Sequence, residues 1–321
     1  QQEEEGDWAG IQPAMLNSLL ALHILGYSKK NTACVKGMEA IERFFLEKED
    51  RLWMQACVSP LWDTAICLNA LMDSGIPTDH PALVKAGEWI LSKQVGKRGD
   101  WEVKNPNSEP GGWAFEFYNE LYPDTDDTAE ILLALNRIDI PNMRNKLAEC
   151  QRALSWLLSM QSKNGGWGAF DIDNDKEVLN EVPFADHKAL LDPPTIDVTS
   201  RIIWMLSQWG FKRDHPQVKR AIKFIKENQE EDGCWFGRWG VNYIYGTFLA
   251  MNGLAAVEED MNQPFSRKAL QWLEAHQNED GGWGETCQSY EEPSLRGKGN
   301  STASQTAWAI LGLVAGREET G

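Results

Sequence analysis

Five segments of the chain are apolar at almost every position, and each begins near a threonine. They start at Trp62, Asp124, Ile196, Asn242 and Ser304. This pattern predicts helices that are buried on most sides. Because Asp, Gln and Thr side chains can accept hydrogen bonds from unpaired helix N–H groups, we expect N-caps at three polar pairs. The pairs are Asp63-Thr64, Asp127-Thr128 and Gln305-Thr306.

A second pattern alternates with the first and occurs four times. A charged, amphipathic helix leads to a glutamine, and a Gly-x-Trp sequence follows so that Trp lies six or seven residues after Gln. The copies cover residues 86–101, 152–167, 220–235 and 268–283. We expect the glutamine to bind backbone at a helix end while the tryptophan packs over it. The four tryptophans of the pattern, Trp101, Trp167, Trp235 and Trp283, are therefore predicted to be scaffold.

The alternation of the two helix types predicts the fold. The apolar helices would lie inside and the charged helices outside. Sustained alternation with a period of two is absent, so few strands are expected. Roughly eleven helices in pairs predict an all-α protein, an α/α barrel (toroid) of inner and outer helices.

Composition narrows the class of partner. The 321 residues carry a net charge of −17, which argues against binding to nucleic acid or to anionic lipid by charge. The six cysteines form no CxxC pair, so neither a zinc ribbon nor a disulfide scaffold is indicated. The first residues do not resemble a signal peptide, and no segment approaches the roughly 18 apolar residues of a membrane span. A cytoplasmic location is expected.

Three carboxylates lie within four residues at the start of the second apolar segment. Because Asp124, Asp126 and Asp127 repel one another, we expect at least one pKa to rise, so that a proton is held near neutral pH. Such a cluster would store a Brønsted acid. A solvated acidic loop and a metal-binding cluster are alternatives that the sequence leaves open.

Six aromatic residues fall outside the repeat as it is defined above. They are Trp62, Trp113, Phe115, Phe170, Trp239 and Tyr245. Core packing is the alternative for each of them, but loops at one end of an α/α barrel converge on its mouth, where these rings could line a cavity. An aromatic face stabilises a desolvated cation by about 2 kcal/mol without acting as a nucleophile. An acid that faces such rings suits a carbocation reaction.

The segment from Asp124 to Ala129 resembles the DxDDTA acid motif of squalene–hopene cyclases, and the Gln…Gly-x-Trp units resemble the QW repeats of triterpene cyclases. Similar context covers residues 10–13, 59–64, 111–115, 167–171 and 236–247. The resemblance implies proton-initiated cyclisation of squalene, or a similar polyprenoid, to hopene or hopanol. It implies neither a metal nor an organic cofactor.

The resemblance also implies roles for individual residues. Asp126 would be the acid, supported by Asp124 and Asp127. The cavity aromatics would be Trp62, Phe115, Phe170 and Trp239. The network that returns a proton to the acid would comprise Tyr245, Asp197 and Arg201, the last at a position where some members have histidine. The residues that place the terminal water would be Ile11, Gln12 and Pro13, and Phe184 would flank the substrate entrance.

Full-length members of this family are longer and contain two α/α barrels. Residues 1–57 are therefore expected to be the C-terminal tail of a second, truncated barrel, and residues 58–321 the catalytic barrel without its last segment. The complete enzyme is expected to be monotopic on the cytoplasmic side of a bacterial membrane, with a homodimer as one option. A glycoside hydrolase on an α/α barrel and an inert helical-repeat fragment are the alternative functions.

Overall fold

The computed structural model describes residues 2–116, 119–176, 178–179 and 191–317. The chain divides into two compact units, residues 1–157 and residues 158–321. Neither the boundary after residue 57 nor the assignment of the two parts to separate barrels is tested by this division, so both remain predictions. Within the described ranges, no helix has the length and apolarity needed to cross a bilayer.

The first unit consists of helices with two pairs of short strands. Its helices are α1 (Gln12–Ile24), α2 (Thr32–Glu42), α3 (Pro60–Asp73), α4 (Pro81–Ser92), α5 (Thr125–Arg137) and α6 (Met143–Ser159), the last ending two residues beyond the unit boundary. Its strands form two antiparallel pairs, β1 (Phe45–Lys48) with β2 (Arg51–Met54), and β3 (Trp113–Ala114) with β4 (Pro123–Asp124).

The second unit contains helices and loops but no named strand in its described part. Its helices are α7 (Ile196–Gln208), α8 (Pro216–Glu227), α9 (Tyr243–Ala256), α10 (Pro264–Ala275) and α11 (Ala303–Arg317). Helix α9 packs against both α7 and α11, while α8 packs against α7 and α10 against α11. The described residues thus form eleven α-helices with few strands, as the hydrophobic pattern predicts.

The predicted difference between inner and outer helices holds for most of the chain. Nearly all residues of α5, α7 and α9 are buried, whereas α4, α8 and α10 bury only one face. The prediction is wrong for α3 and α11, which also bury one face and leave apolar residues exposed on the other. Ile66 on α3 and Val314 on α11 are 40% and 51% exposed. The described residues provide no element that covers these faces.

The repeated glutamine ties one helix pair to the next. The side-chain amide of Gln229 donates to the carbonyl of Gly233 in the Gly-x-Trp loop (2.8 Å) and to that of Phe265 in α10 (2.9 Å). Gln161 does the same with Gly165 and Gln217, and Gln94 with Gly111 and Glu149. The predicted backbone role of the glutamine is therefore confirmed.

The tryptophan of the first copy is Trp113, not Trp101. The amide of Gln94 reaches Gly111, the first residue of Gly111-Gly112-Trp113, 17 residues away instead of 4, so residues 98–110 are an insertion before the loop. The indole N–H of Trp113 donates to the carbonyl of Ile90 in the last turn of α4 (2.8 Å). Trp235 and Trp283 make the same bond to Ile225 and Leu273. Trp113 is thus part of the repeat, and the prediction that it lies outside the repeat is wrong.

The threonines at the start of the inner helices bind the repeat tryptophans instead of capping their helices. The backbone N–H of Trp113 donates to Oγ1 of Thr128 (3.0 Å), and Trp235 donates to Thr247 in the same way (3.0 Å). The three predicted caps are wrong, because α3 begins at Pro60, α5 is capped by Asp124, and α11 begins at Ala303, before Gln305-Thr306. Each threonine therefore connects an inner helix to the loop before it.

The two hydrogen bonds of the Gln229 side chain lead to a testable difference between two copies of the repeat. Gln229→Ala removes two hydrogen bonds to partly buried carbonyls and should lower the free energy of unfolding by about 1–3 kcal/mol. The side chain of Gln277 is exposed and, among the described residues, donates only to the carbonyl of Gly281. Gln277→Ala should therefore lower the free energy of unfolding by about 1 kcal/mol or less. Urea unfolding followed by circular dichroism measures both; equal losses would contradict the link to α10.

Candidate active site

The acid motif forms the first turn of α5. Asp124 is the N-cap of this helix, and its Oδ1 accepts hydrogen bonds from the backbone N–H groups of Asp126 (2.7 Å) and Asp127 (3.2 Å). Asp126 is 9% exposed, Asp124 7% and Asp127 2%. This burial contradicts the alternative of a solvated acidic loop. Because a helix N-terminus favours negative charge, Asp124 holds the turn as a cap, and Asp126 lies directly beside it.

The chain before the motif is fixed against the same turn. Strand β3 pairs with β4 so that Trp113 lies opposite Asp124. Oγ1 of Thr128 donates to the carbonyl of Asp124 (2.6 Å) while it accepts the N–H of Trp113. Phe115 follows β3 directly and is partly buried. The repeat thereby places one predicted cavity aromatic beside the acid motif.

Trp62 lies in the first turn of α3, the helix that packs against α5. The two helices are joined by a hydrogen bond of 2.8 Å from the side-chain amide of Asn69 to Oε1 of Glu130. Trp62 is partly buried. The structure thus places the predicted acid and this predicted cavity aromatic on neighbouring helices of one unit.

The predicted water-placing residues lie at the start of α1. Ile11 pairs with Cys57, and the N–H of Gln12 donates to the carbonyl of Ala56 (2.8 Å). Gly10 has a φ of +62° and lies against the side chain of Glu116, where an added Cβ would come within 2.1 Å of Cγ. Ile11 is 37% exposed and Pro13 is also exposed. The start of α1 therefore lies close to the chain that follows Phe115.

In the second unit, two predicted members of the proton network are in contact. The guanidinium of Arg201 donates to the hydroxyl oxygen of Tyr245 at 2.8 Å, and each residue is 7% exposed. The Tyr245 ring packs against Trp308, with 4.8 Å between the ring centroids, and against the backbone of Gly240. The hydroxyl of Tyr245 thus accepts a hydrogen bond from a group that carries a permanent positive charge.

Trp239 and Phe170 form an aromatic pair in the same unit. Their ring centroids are 6.4 Å apart with the planes at 82°, and Trp239 is 50% exposed. The backbone N–H of Trp239 donates to Oδ2 of Asp197 at 2.7 Å, and Asp197 is 1% exposed. Asp197 therefore fixes the backbone that carries Trp239, a contact that the resemblance did not imply.

Three residues that the sequence did not link to this loop, residues 236–242, hold the rest of it. The Tyr290 hydroxyl shares its proton between the carbonyls of Arg238 (3.1 Å) and Gly240 (2.9 Å). Burial, and then the negative charges of Asp197 and Glu285, raise the pKa of Tyr290, so the hydroxyl stays a donor. Gln305 donates to the carbonyl of Val241 (3.0 Å).

Glu285 completes the set at the end of this loop. Its Oε2 accepts the N–H groups of Asn242 (3.2 Å) and Ile244 (3.0 Å), where α9 begins. No spacing motif links Glu285, Tyr290 or Gln305 to the loop, and these contacts span more than 40 residues of sequence. Only the folded chain reveals them.

The predicted site residues are divided between the two units. Residues 11–13, Trp62, Phe115 and the three aspartates belong to the first, and Phe170, Asp197, Arg201, Trp239 and Tyr245 to the second. Phe184 lies outside the described residues. Among the described residues, no group of three His, Cys, Asp or Glu side chains is arranged to hold a metal ion.

Comparison with known proteins identifies the family. The sequence matches the model of the squalene–hopene cyclase C-terminal domain over residues 58–321 and that of the N-terminal domain over residues 1–50. The chain belongs to the squalene–hopene cyclase family. It is 47% identical to the squalene–hopene cyclase of Alicyclobacillus acidocaldarius, over 98% of this chain and 50% of that protein.

A dammaradiene synthase from Dryopteris crassirhizoma is 42% identical over 100% of this chain and 50% of its own length. This cyclase-family chain therefore spans about half the length of the curated relatives it matches. The fold resembles that of a variant of the type II terpene cyclase MstE from Scytonema, with a TM-score of 0.52 at 17% identity. The match covers 94% of this chain and 72% of that one, and it confirms the α/α-barrel fold class.

Proposed function

We propose that the complete protein is a class II terpene cyclase that protonates squalene and cyclises it to hopene or hopanol. The observation that carries the proposal is the buried first turn of α5, where Asp124 is engaged as the helix cap and Asp126 lies beside it. A buried carboxyl group retains its proton more readily than an exposed one. Asp126 is the group we assign as the acid, with Asp124 and Asp127 balancing the charge that develops.

The reaction needs an acid that starts it, a cavity shaped to fold the substrate, and groups that stabilise the cations. The Asp126 carboxyl gives its proton to a terminal alkene, and the resulting tertiary cation is attacked by the next alkene along the chain. The last cation loses a proton to give hopene, or adds water and then releases a proton to give hopanol, so no electrons enter or leave. Trp62, Phe115, Phe170 and Trp239 would stabilise the successive cations through their ring faces.

The acid must regain its proton after each turnover. An arginine cannot relay a proton, because its guanidinium stays charged. Since Arg201 donates to the oxygen of Tyr245, the tyrosine's own proton must point away from Arg201. We propose that this hydroxyl proton belongs to the network that reprotonates Asp126. Asp197 would hold the neighbouring loop that carries Trp239.

The remaining family assignments concern the complete protein. Residues 58–321 would form the catalytic barrel, with residues 1–57 as the tail of a second barrel. Leu16, Leu20 and Ile24 form an exposed stripe on α1 at 42%, 50% and 82% exposure, which we expect to be covered in the complete protein. Because squalene is apolar, we propose a monotopic association with the cytoplasmic side of a bacterial membrane, with a homodimer as one option.

Two further roles are proposed at the ends of the substrate. Ile11, Gln12 and Pro13 would place the water that ends the reaction, and Phe184 would flank the entrance.

A glycoside hydrolase is not favoured, because it requires two carboxylates on opposite sides of a cleft, whereas the three aspartates share one helix turn. Neither that alternative nor an inert fragment receives support from the family.

Isotope incorporation tests the proposal. The complete protein is incubated with squalene in D₂O, and the products are analysed by mass spectrometry, with heat-inactivated protein as the control. Because the initiating proton comes from an exchangeable carboxyl, we expect a pentacyclic product, hydrocarbon or alcohol, that carries one deuterium bound to carbon. Unchanged squalene, or a cyclic product without deuterium, would contradict proton-initiated cyclisation; dammaradiene would retain the reaction class and change the product.

A further inference from the structure

Asp192 binds three successive backbone N–H groups of one loop. Its Oδ1 accepts the N–H of Ala169 at 3.0 Å, and its Oδ2 accepts those of Phe170 at 2.5 Å and Asp171 at 3.0 Å. A Cβ added at Gly168 would come within 2.6 Å of the Asp192 carbonyl oxygen, so the two segments are in close contact. Charge-assisted hydrogen bonds from three consecutive residues fix both the position and the direction of the backbone.

The clamped loop carries Phe170, whose ring meets Trp239 edge to face. The segment that holds Asp192 is also linked to Trp239, the other ring of the pair, through Arg238. The Arg238 guanidinium donates to the carbonyl of Leu191 at 2.9 Å and lies 5.7 Å from the Trp239 ring centroid. The pKa of Asp192 is raised by burial, and the three N–H donors and the charge of Arg238 oppose this rise without cancelling it. Both neighbours of Phe170, and Arg238 beside Trp239, are therefore tied to one short segment.

We propose that Asp192 is a positioning residue that sets the Phe170 ring against Trp239 and thereby controls how far cyclisation proceeds. This inference rests on the proposed function, in which both rings stabilise cations. The attraction of a ring for a cation depends on the distance from the ring centroid. If Phe170 moves, an intermediate cation is stabilised less well and loses its proton before the last ring closes.

Two aspartates in this region allow a matched comparison. Asp192→Asn preserves the size of the side chain but replaces an acceptor oxygen by an amide that donates, and this amide would face backbone donors. Asp173 also accepts a backbone hydrogen bond, that of Lys163 at 2.9 Å, and its Oδ2 pairs with Nζ of the same lysine at 2.8 Å. Asp173→Asn is therefore the control that alters a carboxylate of the same loop without touching the clamp.

The test measures product distribution and hydrogen exchange in the complete protein. With squalene as substrate, Asp192→Asn should raise the share of incompletely cyclised products at least severalfold, while Asp173→Asn should match the wild type. Exchange of the amides of residues 169–171 should be roughly tenfold faster in Asp192→Asn, as expected when a hydrogen bond to a charged group is lost. A general loss of stability would lower all products together and leave their proportions unchanged.

A second variant keeps the result decisive if Asp192→Asn does not fold. Asp192→Glu retains the charge but displaces the carboxylate by one carbon, and it should shift the products in the same direction. Unchanged product shares in a folded variant, an equal shift in Asp173→Asn, or failure of both Asp192 variants to fold would overturn the proposal. If wild-type protein forms no cyclic product, the proposed function fails instead, and the exchange measurement still reports on the clamp.

Discussion

Asp126→Asn should abolish squalene cyclisation by the complete protein while the protein still folds. An amide has nearly the size of the carboxyl group but no proton acidic enough to transfer to an alkene. A positioned general acid contributes about 10²–10⁴-fold to a rate, so turnover should fall by at least about 100-fold. The measurement is the rate of squalene loss and of cyclic product formation by gas chromatography.

The control is a carboxylate near the other end of the same helix. Asp139 follows α5 and accepts a hydrogen bond from the Thr78 hydroxyl at 2.6 Å on the surface. Asp139→Asn should leave turnover near the wild-type value. Thermal unfolding of both variants separates lost chemistry from lost structure. Turnover of Asp126→Asn within a few-fold of the wild type would remove Asp126 as the acid and, with it, the central assignment of the site.

The repeat was predictable because its chemistry is local in most copies. In the second to fourth copies, the glutamine bonds to a glycine four residues later, so the spacing in sequence reflects a contact in space. In the first copy, an insertion separates Gln94 from Gly111, and Trp101 happens to occupy the expected spacing. Trp101 is still buried and lies edge-on to Trp156, with 6.1 Å between the ring centroids. Its indole N–H does not donate to a helix-end carbonyl in the described structure.

The strands show another limit of sequence patterns. The sequence does not predict the β1–β2 hairpin, because its turn contains Glu49 and Asp50 where glycine or asparagine is usual, although Glu49 adopts a φ of +56°. Its strands are mostly exposed, so they lack the alternation of a half-buried strand. Exposure removes the hydrophobic signal on which such a prediction depends.

The candidate site also combines local features, which the sequence reveals, with long-range contacts, which it does not. The acid motif lies within one helix turn, so a short stretch of sequence contains it. The prediction of Asp127 as the cap is wrong because both Asp124 and Asp127 are good N-cap residues and only the backbone geometry decides between them. The residues that hold the aromatic loops, such as Asp192 and Glu285, act over about 20 or more residues of sequence. A single sequence contains no signal for such contacts.

Trp113→Ala should be among the most destabilising single substitutions in the first unit. Trp113 is fully buried, its indole N–H satisfies the carbonyl of Ile90 at the end of α4, and its backbone is held by Thr128. Truncation of a buried tryptophan leaves a large cavity and costs about 3–5 kcal/mol of the free energy of unfolding. Trp113→Phe should cost less, since it fills most of the space and loses mainly the bond to Ile90.

The comparison that isolates the role of Trp113 is Trp53→Ala on strand β2. Trp53 is 43% exposed, so its truncation should cost no more than about 1 kcal/mol. Urea unfolding followed by the helical circular dichroism signal measures the three variants against the wild type. A loss for Trp113→Ala as small as that for Trp53→Ala would mean that the indole is not a structural link between α4 and α5, and Trp113 would return to the set of candidate cavity aromatics. A large loss would keep it in the scaffold, where the same bond recurs at Trp235 and Trp283.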